Sequence, residues 1–120
     1  MHDKKNHINL DYLELMAGND PQVRLTLLEL LLSDLRTGLP QMRALFEEKK
    51  WTALQQAAHK MKSTLDYSGN QAMQQANLSI LNYSGDQQDP QEIDLSLTQL
   101  EKLSSSVLIE LEEAMIKVNF

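Results

Sequence analysis

The chain has 120 residues and carries 17 aspartates and glutamates against 11 lysines and arginines, a formal net charge of −6. That length suits one domain able to bury its own core, and the acidic balance disfavours nucleic acid and anionic membrane surfaces as partners. No cysteine is present, which removes disulfides, thiolate metal sites and cysteine nucleophiles. The N-terminus, MHDKKNHINL, lacks the apolar stretch of a signal peptide, and no segment approaches the roughly 20 apolar residues of a membrane span. A soluble, cytoplasmic protein is expected.

Leucine far outnumbers valine plus isoleucine and there are only 4 glycines, a balance that favours helices over strands. A short amphipathic piece comes first, Ile8 to Ala17, with Leu10, Leu13 and Met16 or Ala17 on one side, ended by Gly18-Asn19. Asp20-Pro21 starts the next helix, because the carboxylate caps free N–H groups and proline suits the first helical position. Leu25, Leu28, Leu32 and Leu35 form one stripe there, with Leu27 and Leu31 beside it. A helix apolar over that much of its circumference is contacted on more than one side. The pattern runs on through Leu39, Met42, Leu45 and Phe46, with Pro40 expected to mark a kink or a restart.

The third helix is predicted from about Trp51 to Tyr67, on the narrow stripe Leu54, Ala58, Met61 and Leu65. Gly69-Asn70 punctuates it, and Asn70 caps a fourth helix from Gln71 to about Tyr83, with Met73, Ala76, Ile80 and Tyr83 inward. Ser84 to Gln91 reads as a loop, in which Asp89-Pro90 is a second cap-and-proline start. In the last helix Ile93, Leu97, Leu100, Ser104, Val107, Leu111, Ala114 and Val118 alternate spacings of four and three, the seam of a left-handed bundle. The expected fold is all-α: an up-down four-helix bundle with a short additional N-terminal helix, one domain over 1–120 with the bundle spanning about 8–119.

Of the three histidines, His2 and His7 lie in the polar N-terminus at a spacing unsuited to a shared helical metal site, and read as surface residues without a role. His59 differs because of where its helix puts it. At about 100° per residue it falls about 130° from the centre of the apolar stripe, facing water with Thr52, Gln55, Ser63 and Asp66. Lys62 lies one turn on, within reach of the ring. Exposed imidazoles, with an ordinary pKa of ~6.5, are largely neutral and nucleophilic at cytoplasmic pH. A nearby ammonium could hold a dianionic group added to one. Trp51 reads as a packing anchor, and the pairs Glu47-Glu48 and Glu112-Glu113 as solvated faces.

Residues 57–70, AAHKMKSTLDYSGN, resemble the signature of the histidine-containing phosphotransfer (HPt) family. That signature is a histidine, an apolar residue two positions on, a lysine at +3, a small residue at +4 and a glycine at +10: here His59, Met61, Lys62, Ser63 and Gly69. The aspartate-proline helix start, the leucine-dense second helix and Trp51, eight residues before the histidine, also match. The resemblance runs from about Leu10 to Val118. It implies that His59 accepts a phosphoryl group on Nε2 and that Lys62 steadies the phosphoryl oxygens. Ser63 would leave room for a partner's acidic pocket, Gly69 would permit close packing or access, and Gln55 and Asp66 would flank the contact. Two positions depart from the pattern. Serine stands where glycine is commoner at +4, and Leu81 stands where several members carry a glutamine near the imidazole.

The resemblance implies a phosphocarrier rather than an enzyme, needing no cofactor or metal of its own. The partners would be receiver domains of response regulators and of hybrid sensor histidine kinases, engaged by a monomer. A rival reading, a bundle of the same kind that only binds or scaffolds, is opposed by the intact His59, Lys62 and Gly69. A metal-binding bundle would need inward Glu-x-x-His ligand pairs, which are missing.

Overall fold

The computed structural model describes residues 7–86 and 88–119, with side chains through Lys117. Five helices follow in order: α1 (Asp11–Ala17), α2 (Pro21–Glu47), α3 (Trp51–Ser68), α4 (Gln71–Tyr83) and α5 (Pro90–Asn119). No strand occurs among the described residues. Helices α2 to α5 form the up-down four-helix bundle, α4 packing on α3 and α5 and α2 on α3 and α5, while the short α1 lies against α2 and α3.

Local chemistry sets the ends. The Asp20 carboxylate accepts the N–H groups of Gln22 (2.9 Å) and Val23 (3.4 Å), and Pro21 occupies the first helical turn. The Asn70 side chain accepts from Met73 N at 3.0 Å, and that of Asp89 from Glu92 N at 3.3 Å. Each satisfies a donor that a helix start leaves free. Between α2 and α3, Phe46 and Trp51 meet edge-on with centroids 5.9 Å apart, so the tryptophan anchors that corner.

The predicted stripes line one continuous core. Leu28, Leu31, Leu32, Leu35, Leu39 and Met42 of α2 meet Leu54, Ala58, Met61 and Leu65 of α3, Met73, Ala76 and Ile80 of α4, and Ile93, Leu97, Leu100, Val107 and Leu111 of α5. Across the α2–α5 seam Arg43 grips Glu101 with two bonds (2.9 and 3.0 Å) and reaches Asp94 at 2.8 Å. The bond to Glu101, then that to Asp94, hold its guanidinium charged against the opposing pull of burial.

Several expectations need correction. The first helix begins at Asp11, not Ile8, because the backbone before it is bound elsewhere. His7 and Ile8 donate their N–H groups to the Glu110 carboxylate of α5 (2.9, 3.1 and 3.3 Å), and Asn9 N donates to Ser68 O at 2.8 Å. His7 is therefore no idle surface residue: its Nδ1 lies 2.5 Å from Glu110 Oε2 and its carbonyl accepts from Asn70 Nδ2 at 2.8 Å. His2 lies outside the described residues, as does the Val118 side chain. Helix α2 continues unbroken through Pro40, so there is no restart. Leu25 and Leu27 are half-buried, and Met16 is exposed while Ala17 is buried; α5 starts at Pro90, where the Asp89-Pro90 signal puts it. On α4 the buried residues are Met73, Ala76, Asn77 and Ile80, and buried Ser84 follows just past the helix end, whereas Tyr83 is exposed.

Candidate functional site

Helix α3 is held along both flanks, leaving its outer face free. On the α2 side, buried Thr64 donates to Asp34 Oδ2 at 2.6 Å. On the α4 side, three side-chain amides bind main-chain oxygens at three successive levels. Gln55 Nε2 donates to Leu81 O at 3.2 Å, Asn77 Nδ2 to Ala58 O at 2.9 Å, and Gln74 Nε2 to Leu65 O at 3.3 Å. Main-chain acceptors cannot change rotamer, so these ties fix the spacing of α3 and α4 more firmly than side-chain pairs would. The middle tie grips the residue immediately before His59.

His59 is exposed, as are Lys60, Lys62, Ser63 and Asp66. By helical-wheel arithmetic His59 projects to the outer rim of the α3–α4 side, about 40° beyond Gln55 and 60° beyond Lys62. Among the described residues neither the His59 ring nor the Lys62 ammonium has a hydrogen-bond or ion-pair partner in the protein. Both are available to an incoming group. A cleft of about 150 Å³ opens beside Lys62, with Lys62 and Asp66 on one wall and Gln74, Gln75, Leu78 and Leu81 on the other.

The remaining sequence-predicted residues separate. Gln55 is half-buried and engaged with α4. Asp66 lies on the α4 side, 3.4 Å from Gln74 Nε2. Gly69 ends α3 in a left-handed conformation (φ 64°), and a Cβ there would collide with the main-chain oxygen of Asn9. Its missing side chain thus seats the N-terminal strap at the far end of α3, ten residues from His59.

Sequence reasoning passed over Asn77 and Leu78. Asn77 sits on the inner stripe of α4, and a polar residue on that spacing was the available signal. Its Nδ2 is bonded but its Oδ1 is buried without a partner among the described residues. Leu78, 40 % exposed on the cleft wall, carries no polar mark by which sequence could single it out. No group of three or more histidine or acidic side chains able to hold a metal occurs among the described residues, and no helix among them is long and apolar enough to cross a membrane.

The family model of the Hpt domain matches residues 26–115, from the first turns of α2 to the last turns of α5. The chain belongs to the Hpt domain family. It has no match among curated proteins and none among solved structures. Hpt domains are phosphocarriers rather than enzymes, so a phosphotransfer-type role in two-component signalling follows. The matched span contains His59, Lys62, Ser63 and Gly69 and excludes α1 and the strap before it.

Proposed function

We propose that this Hpt domain is a phosphorelay intermediate that takes a phosphoryl group onto His59 from a receiver-domain phospho-aspartate and hands it to the aspartate of a second receiver. One observation carries the assignment: His59 is an exposed imidazole on a helix held along both flanks, with a lysine one turn away, and neither side chain has a partner among the described residues.

The receiver docks over the outer face of α3. The lone pair of His59 Nε2 attacks phosphorus in line, the P–N bond forms, and the P–O bond to the aspartyl oxygen breaks. The electron pair leaves with the carboxylate. The Nδ1 proton stays on the ring, so no base is needed. Lys62 meets the dianionic phosphoryl oxygens with a charge-assisted contact. Positioning and charge neutralisation supply most of the rate, as in other phosphoryl transfers. The divalent metal and the catalytic carboxylates belong to the receiver, so this chain needs no cofactor.

Ser63 lies one turn from His59 on the same side, where its small volume admits the receiver's acidic pocket. Gln55 and Asp66 border the docking face, and Gly69 serves it indirectly by fixing the end of α3. The partners are receiver domains of response regulators and of hybrid sensor histidine kinases, met in the cytoplasm by a monomer.

The test is incubation with receiver domains carrying labelled phosphoryl groups, following label onto this chain and from it to a second, unlabelled receiver. Passage in both steps is expected. Receiver binding without transfer of label would instead make the chain a scaffold.

A further inference from the structure

A nucleophilic imidazole has two ring nitrogens, and the atom that attacks is set by what holds the proton on the other. If His59 reacts through Nε2, as the reading above has it, some acceptor should hold the Nδ1 proton. Helix α4 presents no acceptor level with the ring on the wall that faces α3. Leu78 and Leu81 line that wall with apolar side chains, Asn77 Oδ1 is sealed from solvent, and the two remaining amides, Gln74 and its neighbour Gln75, stand toward Leu65 and Asp66, more than a turn along α3 from His59.

Gln55 stands one turn before His59 on the same helix. Residues spaced i, i+4 are neighbours, and helical side chains lean toward the N-terminus, so the imidazole tilts toward Gln55 rather than away from it. The Gln55 amide is also preset. Its Nε2 donates to Leu81 O, and since that carbonyl only accepts, the nitrogen and oxygen of the amide are assigned without ambiguity. The oxygen is fixed along with it and has no partner among the described residues. Gly85 gives the amide its space: a Cβ there would come within 2.7 Å of Gln55 Nε2. The two groups are not bonded in the rotamer described, but the exposed ring of His59 is free to turn.

We infer that Gln55 is a positioning residue whose Oε1 accepts a hydrogen bond from Nδ1–H of His59, leaving the Nε2 lone pair directed outward for attack. The tie from α4 acts on the imidazole through this amide, not through a side chain of α4 itself. As Nε2 bonds to phosphorus, positive charge grows on the ring and the same contact strengthens.

The experiment is nitrogen-15 NMR of the His59 ring in the unphosphorylated full chain, at a pH where the ring is neutral, reading the ratio of Nδ1–H to Nε2–H tautomers. The parent should be enriched in Nδ1–H over a free imidazole. Gln55→Leu should lower the ratio by about threefold to tenfold, the worth of one net hydrogen bond. Gly85→Ala, which displaces only the end of a flexible side chain, should lower it in the same direction with Gln55 still present. A loss of packing alone would not move a tautomer ratio. Equal ratios in the parent and Gln55→Leu would overturn the inference. Because the measurement precedes any transfer, an enriched Nδ1–H tautomer in a chain that accepts no label would sustain this contact and overturn the phosphoacceptor reading instead.

Discussion

Asn77 of α4 donates its side-chain amide to the main-chain oxygen of Ala58, the residue before His59, across 2.9 Å. That oxygen already accepts the helical bond from Lys62 N, so the amide is an added tie rather than the oxygen's only partner. Its Oδ1 meanwhile is buried with no partner among the described residues.

Asn77→Leu removes the tie and the orphaned oxygen together, and the volume is nearly kept. It should change stability by less than about 1.5 kcal/mol. Asn77→Asp removes the donor and buries a carboxylate against a carbonyl, and should cost about 3 kcal/mol or more. Urea denaturation of both variants decides it: an aspartate tolerated as well as leucine would show that this layer is open to water.

At Gly69 the expected effect is on stability. Alanine there must hold φ at 64° and press its Cβ on Asn9 O, so Gly69→Ala should cost about 1–3 kcal/mol and loosen residues 7–10. Transfer to and from His59, measured well below the melting temperature, should stay within about twofold of the parent. Slower transfer at unchanged stability would instead place Gly69 under the docked receiver.

How far these features could be read in advance depends on where their partners lie. The stripe Leu54, Ala58, Met61 and Leu65 and the caps at Asp20 and Asn70 are legible because the pattern and the bonds are local. The exposure of His59 follows from the same periodicity. Leu10 continues the stripe of Leu13 and Ala17 equally well, yet the segment of residues 7–10 is not helical. Its N–H groups are taken by Glu110 and Ser68, about 60 to 100 residues away, which no local pattern reports. Gln55 has the same limit: its wheel position is right, but its bond to Leu81 O depends on how α4 packs.

Ser63 tests access to the site. Its exposed side chain lies one turn from His59, so its volume should limit docking and not folding. Ser63→Gly should transfer at least as fast as the parent, and Ser63→Gln much more slowly with helicity unchanged. Equal rates for the two variants would show that the partner does not cover this flank.

Lys62 isolates the charge contribution. A charge-assisted contact to phosphate is worth ~1.5–3 kcal/mol, and solvent exposure reduces this to about 1. Lys62→Ala should therefore slow transfer or shorten the phosphohistidine lifetime by roughly fivefold to tenfold. Lys62→Arg should retain more, and melting temperatures should barely move, since exposed substitutions shift stability by about 0.5 kcal/mol or less. Rapid-quench transfer at the parental rate in the alanine variant, with an equally long-lived phosphohistidine, would reduce Lys62 to a surface residue.

The most direct test of the central claim is the chemistry and location of the label itself. A phosphorus–nitrogen bond to histidine is labile in acid and survives base, the reverse of a serine ester. Label acquired from a phosphorylated receiver should vanish in acid, persist in base and be absent from His59→Gln, while His2→Gln and His7→Gln still take it up. Acid-stable label, or label that survives in His59→Gln, would contradict the account.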